Sequence, residues 1–121
     1  MTVDLKILTS LELNALIGLE AATEYSHSIS VNSGWYHNPL TGEKLERNVP
    51  EMLCLIHSEI SEAMEGYRKD LMDDKLPDRK MIEVELVDAL HRIHDLAGFL
   101  GLDLAGAYIE KGRYNQVRLD H

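Results

Sequence analysis

The chain has 121 residues and a formal net charge of −9 at neutral pH. This length suits a single domain over residues 1–121, and the charge argues against a nucleic-acid partner, because backbone phosphates repel an acidic surface. The single cysteine excludes an internal disulfide and favours a reducing compartment, so we expect a cytoplasmic protein. No apolar run reaches the roughly 18 residues of a membrane helix, and we expect no membrane partner.

The first predicted helix covers about residues 11–29, and a long loop follows it. Thr9 and Glu12 have the spacing of a capping box at the helix start. Residues 31–47 contain two glycines and a proline, which favour a loop. Loops of that length in small domains are usually functional or mobile, and we expect the same of this segment.

The second predicted helix carries the first acidic pair, Glu59 and Glu62. Asn48 is placed to cap this helix, which fades near Lys69. Residues three apart point off one side of a helix, so the two carboxylates share a face. The neighbours of Glu59 on the helical wheel are apolar or small: Met52, Leu55, Ala63 and Gly66. This surrounding favours a role for Glu59 other than facing solvent.

The third predicted helix, about residues 79–100, carries a second acidic pair, Glu85 and Asp88, at the same spacing. Gly101 suits its C-terminal end, and Asp103 is placed to cap a fourth helix. The third helix is apolar over two sectors, a main core band that contains Leu86 and a second sector outside it: Met81, Val84, Val87 and Phe99. Either an oligomer or the first helix covers the second sector.

The two acidic pairs converge if the second and third helices lie side by side. Carboxylates that close repel one another, and a hard divalent cation, Mg²⁺ or Mn²⁺, relieves the repulsion. The alternative is a solvated acidic stripe. A di-iron site is a weaker alternative, because such a site typically has histidines at the positions that Glu62 and Asp88 occupy. Asp95 is a further ligand, a supporting acid or an ion-pair partner of Arg92.

A polar face is predicted near the C-terminus. Its four residues have the offsets i, i+3, i+4 and i+7: Lys111, Tyr114, Asn115 and Arg118. Such a face offers the cationic and amide donors that a polyphosphate needs. The alternative is an ordinary amphipathic helix end, with basic residues placed near the negative end of the helix dipole.

These segments together resemble the MazG-like all-α nucleoside triphosphate pyrophosphohydrolases. The resemblance rests on E59-x-x-E62, twenty-two intervening residues, E85-x-x-D88 and a downstream K-x-x-Y-N-x-x-R segment, and it covers roughly residues 48–118. It implies an all-α fold, a four-helix antiparallel bundle, in a homodimer or homotetramer.

The resemblance also implies an activity: Mg²⁺-dependent hydrolysis of a nucleoside triphosphate between its α and β phosphates, giving a monophosphate and pyrophosphate. The implied metal ligands are Glu59, Glu62, Glu85 and Asp88. Lys111 and Arg118 would meet the phosphates, with Lys111 contributing to catalysis, and Tyr114 and Asn115 would position the nucleotide. Trp35 would stack on the base, or else it is a hydrophobic plug on the bundle end. The alternative function is a helical module that binds a nucleotide without hydrolysing it.

Overall fold

The structure, a computed structural model, describes residues 7–120 and contains helices but no strand in that range. The helices are α1 (Ser10–Asn32), α2 (Val49–Lys69), α3 (Met81–Leu100) and α4 (Leu104–Val117). The predicted all-α class and the four predicted helices are confirmed. Within the described range, no helix combines the length and the apolar character that crossing a bilayer requires.

Local signals in the sequence set the helix ends. The Thr9 hydroxyl accepts a hydrogen bond from the Glu12 backbone N–H, and the Glu12 carboxylate accepts one from Thr9, which completes the predicted capping box. Asn48 and Asp103 cap α2 and α4 through their side-chain oxygens, which accept hydrogen bonds from the backbone N–H groups of Glu51 and Gly106. Gly101 ends α3 with a φ of 66°, a left-handed conformation that glycine adopts without steric cost.

Helices α2 and α3 pack antiparallel to each other. Met52, near the start of α2, shares a buried cluster with Leu96, near the end of α3. At the opposite end, Gly66 of α2 lies so close to Met81 that an added Cβ would be 2.8 Å from the Met81 Cβ. A small residue at this position lets the two backbones approach, and the approach sets the register of the acids between these contacts.

The C-terminal half of α1 lies along α3 and forms a polar seam with it. Three hydrogen bonds of 2.8–2.9 Å cross the seam: Thr23 to His94, Ser26 to His91, and His27 to Asp95. Buried polar groups need partners, and the seam supplies them in pairs that specify one register of α1 on α3.

Helix α4 packs on the N-terminal half of α1 and hardly contacts α2 or α3. Leu16 of α1 forms a small core with Ala105 and Ile109 of α4. Arg113 donates to Glu12 over 2.6 Å, and this bond, followed by the one from the Thr9 backbone N–H, lowers the pKa of the Glu12 carboxyl to about 2. Helices α3 and α4 therefore follow one another along α1, so the chain forms an α1–α2–α3 body and an α1–α4 arm.

The outer side of α3 is less buried than the helical wheel predicts. Leu86, assigned to the main core band, has 45% of its surface exposed, because no helix within residues 7–120 covers that side. Phe99, assigned to the second sector, instead stacks on Tyr36 of the loop, with 4.7 Å between the ring centroids. The loop, rather than another helix, covers this end of α3.

We expect Gly98→Ala to lower the free energy of unfolding by about 1–3 kcal/mol, because overpacking a tight contact forces the backbone or side chains to shift. An added Cβ at Gly98 would lie 2.7 Å from the Cβ of His27 on α1. The matched control is Gly18→Ala on α1, where nothing lies within 4 Å. Helix propensity predicts that the control gains up to about 1 kcal/mol. Urea unfolding of both variants tests the α1–α3 contact, and equal stabilities would contradict it.

Candidate functional site

Three carboxylates from α2 and α3 form an acid cluster: Glu59, Glu85 and Asp88. One oxygen of each lies within 4.8 Å of the others, a geometry that could hold a metal ion. Glu59 and Glu85 are buried, with 8% and 9% of their surfaces exposed, and Asp88 is half-buried. The predicted convergence of the two acidic pairs is confirmed for these three residues.

Glu62 lies at the rim of the acid cluster rather than within it. Its side chain is exposed to solvent, yet it is close enough to Glu85 to raise the pKa of that carboxyl. The i, i+3 spacing placed Glu59 and Glu62 on one side of α2, and the structure separates them into a buried and an exposed position. Of the four predicted metal ligands, three are therefore together, and the fourth is beside them.

Burial and mutual repulsion change the ionisation of the acid cluster. Burial, followed by the nearby Glu59 and Glu62 carboxyls, raises the pKa of Glu85 to about 8. Burial and the charge of Glu59 also raise the pKa of Asp88. The Oε2 atom of Glu85 is buried and has no hydrogen-bond partner among residues 7–120. A buried carboxyl oxygen without a partner is costly, and a cation would satisfy it.

Arg92 supplies a positive charge to the acid cluster. Its Nε donates a 3.0 Å hydrogen bond to Oε1 of Glu59. The sequence left open a pairing of Arg92 with Asp95, and that pairing does not form. The helical spacing alone cannot reveal the observed pair, because Arg92 and Glu59 lie on different helices and their contact depends on the α2–α3 register.

Asp95 anchors the loop that carries Trp35 instead of joining the acid cluster. It is buried, and it accepts hydrogen bonds from the Tyr36 hydroxyl over 2.8 Å and from the ring of His27 over 2.9 Å. The neighbouring Trp35 is held in turn by Arg47, whose guanidinium lies 3.9 Å from the indole centroid and whose Nε donates to the Trp35 carbonyl oxygen.

A cavity of about 310 Å³, here called the central cavity, opens between α1, α2, α3 and the loop. Trp35, Met52, His91 and Arg92 line it, together with serines of α1. The indole Nε1 of Trp35 is buried without a partner in the described part of the chain. The cavity is at the lower end of the size range of small-ligand sites, and Arg92 joins it to the acid cluster.

Three residues of the predicted C-terminal face lie on α4: Lys111, Tyr114 and Asn115. Lys111 places its ammonium 4.4 Å from the centroid of the Tyr114 ring. Asn115 is half-buried, and Arg118 is the residue that ends α4, in an extended conformation. These four residues are called the α4 face below. Lys111 and Asn115 line a surface cavity of their own, which no acid of the cluster reaches.

The α4 face and the acid cluster lie on helices with different packing partners, because α2 packs on α3 and α4 packs on α1. From Glu85 to the end of α3 at Leu100 the chain advances by about 22 Å, at about 1.5 Å per residue. Helix α4 then continues towards the other end of α1, where Arg113 meets Glu12. The cavity that Lys111 lines contains none of the three acids, and α4 packs mainly on α1.

The chain matches no family model, no curated protein and no solved structure. The chemistry of its side chains is therefore the basis for assigning a function. Within the described residues the acid cluster consists of carboxylates only, a donor set that favours Mg²⁺ or Mn²⁺ over iron or zinc. The arrangement can bind a hard cation next to a cavity, which is what an anionic ligand bound through a metal requires.

We expect the metal-free protein to lose stability as the pH rises from about 4.5 to about 8, because the unfolded chain releases the Glu85 proton at the lower value and the folded chain holds it to the higher. Glu85→Gln removes this dependence, so the variant should lose less stability over the same range. Urea unfolding in EDTA at several pH values provides the measurement. Parallel pH profiles for the two proteins would show that Glu85 ionises normally in the fold.

Proposed function

We propose that the protein is a Mg²⁺-dependent nucleoside triphosphate pyrophosphohydrolase of the MazG-like type, with Mn²⁺ as an alternative ion. The observation that carries this proposal is Glu85, which is 9% exposed, has an unpartnered Oε2 and lies beside Glu59 and Asp88. A helical scaffold gains nothing from burying such a group, since repulsion and desolvation both oppose it. A cation-binding role explains it.

In this proposal the acidic side chains have separate roles. Glu59, Glu85 and Asp88 hold the cation, and the exposed Glu62 orients a water molecule for in-line attack. Mg²⁺, when bound, neutralises charge on the triphosphate and makes water easier to deprotonate. The water oxygen forms a bond to the α phosphorus and its proton is released to solvent, the bond from that phosphorus to the oxygen bridging the α and β phosphates breaks, and pyrophosphate leaves.

The central cavity is the proposed position of the nucleoside. It adjoins the acid cluster through Arg92, so a base in the cavity and phosphates at the acids can belong to one molecule. The Trp35 indole lines the cavity, and aromatic stacking contributes about 1–3 kcal/mol per base. Because Arg47 covers the ring, the indole is held in place before any ligand binds.

A second copy of the chain completes the proposed assembly, a homodimer or a dimer of dimers. Exposed apolar residues form a stripe at helical spacing on α2: Leu53, Ile60, Met64 and Tyr67. Leu86 and Leu90 are exposed on α3 as well. Covering such a surface with a second copy is the usual solution. We further propose that the α4 face of one copy meets the acid cluster of the other.

The second candidate function is a nucleotide-binding module without catalysis. One observation favours it: within a single chain the acid cluster lacks the donors of the α4 face, because α4 packs on the far half of α1. A single copy would then have a cation site and a cavity but an incomplete phosphate site.

We expect the protein with Mg²⁺ to convert at least one member of a nucleoside triphosphate panel to monophosphate and pyrophosphate. Glu85→Gln and Asp88→Asn should lower turnover by roughly 100-fold or more, because each removes a charge that holds the cation. The control is Glu83→Gln, an exposed acid on the same helix that pairs with Arg79. Circular dichroism checks the fold.

The products separate the alternatives. Formation of diphosphate and orthophosphate would show that cleavage does not occur between the α and β phosphates. Mg²⁺-dependent nucleotide binding without hydrolysis would favour the binding module, and full activity of both acid variants would remove the acid cluster from the site.

We expect Lys111→Ala to lower turnover with little effect on the free energy of unfolding, since its exposed ammonium leaves no buried gap. Refolding this variant together with Glu85→Gln should restore part of the activity, because a mixed dimer combines intact acids from one copy with an intact α4 face from the other. The control mixture, Glu85→Gln with Asp88→Asn, has no intact acid cluster and should stay inactive. Equal activity of the two mixtures would contradict the shared site.

A further inference from the structure

Arg92 belongs to both parts of the site. On one side its Nε bonds to Oε1 of the buried Glu59 at 3.0 Å. On the other side the same residue lines the central cavity together with Trp35. The side chain of Arg92 is 36% exposed, whereas that of Glu59 is 11% exposed. The guanidinium is therefore the partner with room to move, and the carboxylate is the fixed one.

The Arg92–Glu59 pair competes with a cation at the acid cluster. Glu59 is one of the three residues whose oxygens converge, and Arg92 already occupies one of its two oxygens. A divalent cation at the cluster would repel the guanidinium at close range, since like charges a few ångströms apart repel strongly where water is partly excluded. Binding of the cation would therefore weaken the hold of Glu59 on Arg92.

Released from Glu59, the guanidinium has a suitable alternative ligand. Nε is the atom that bonds Glu59, and the two Nη groups carry the other four N–H donors. A planar fork of donors matches the oxygens of a phosphate better than an ammonium does. Since α4 packs on α1 and hardly contacts α2 or α3, Arg92 is the cation that the described structure places between the acid cluster and the central cavity.

We propose that Arg92 is a phosphate-binding residue that exchanges partners: it neutralises Glu59 in the metal-free protein and binds the triphosphate once a divalent cation occupies the acid cluster. The proposal rests on the proposed function and adds to it a phosphate ligand on α3. It differs from a purely structural role, in which Arg92 only holds Glu59 in place for the cation.

The two roles predict opposite changes in metal affinity. If Arg92 competes with the cation, Arg92→Gln should bind Mg²⁺ at least about threefold more tightly in the absence of nucleotide, because a nearby positive charge is lost. If Arg92 only positions Glu59, the same variant should bind Mg²⁺ more weakly. Calorimetric titration of the nucleotide-free protein with Mg²⁺ distinguishes the two.

The second measurement uses inorganic triphosphate, a probe that carries the phosphate charge without a base. With Mg²⁺ present, Arg92→Gln should bind it about tenfold more weakly, because a charge-assisted bidentate contact is lost. The triphosphate affinity of Arg92→Lys should lie between those of Arg92→Gln and the wild type, since lysine keeps the charge but lacks the planar set of N–H donors. If Arg92→Gln does not fold, the lysine variant carries the test, and wild-type affinity for triphosphate in that variant would overturn the proposal.

The matched control is Arg79→Gln, which breaks an exposed Arg79–Glu83 pair at the start of α3 and should change neither affinity. Tighter Mg²⁺ binding together with weaker triphosphate binding in Arg92→Gln supports the exchange. Unchanged triphosphate binding or weaker Mg²⁺ binding overturns it.

Both titrations are independent of turnover, so the two proposals fail separately. If the wild-type protein hydrolyses no nucleotide, the proposed hydrolase activity is wrong, and the titrations still decide the role of Arg92. If the wild-type protein is a hydrolase and its Arg92→Gln variant binds triphosphate normally, only the proposed partner exchange of Arg92 is wrong.

Discussion

The close antiparallel contact of α2 with α3 is the constraint on which the rest of the structure depends. At one end Gly66 admits the side chain of Met81, and at the other Met52 shares a cluster with Leu96. Between these contacts the interface contains acids where a small protein would ordinarily place apolar residues. Desolvation and repulsion of those acids oppose the contact, and apolar packing at the two ends supports it. The metal-free fold thus maintains an unfavourable arrangement of charge.

Sequence patterns predicted the features that depend on neighbours along the chain and missed those that depend on distant ones. The caps, the four helices and the burial of Glu59 follow from local hydrogen bonding and helical periodicity. The exposure of Leu86 does not, because a wheel shows which face is apolar but not whether the same chain covers it. The Arg92–Glu59 pair and the position of α4 on α1 depend on tertiary register, which no spacing rule contains.

The loop between α1 and α2 is held by a buried polar centre rather than by apolar packing alone. Asp95 accepts hydrogen bonds from His27 and from Tyr36. Burial, followed by the bond to Asp95, raises the pKa of the Tyr36 hydroxyl, so this group remains a donor throughout the physiological pH range. Because Tyr36 is adjacent to Trp35, the same centre fixes the indole at the central cavity. The position of an aromatic side chain at the candidate site therefore depends on one carboxylate on α3.

The division of the chain into a body and an arm has a consequence for the order in which it opens. The arm depends on Leu16, Ala105 and Ile109 and on the pair of Arg113 with Glu12. Protection of backbone amides against exchange follows local free energy rather than global stability. Amides of α4 should consequently exchange with solvent earlier than those of α2 and α3. Helix α1 spans both regions, so its two halves belong to different cooperative units, although they form one continuous helix.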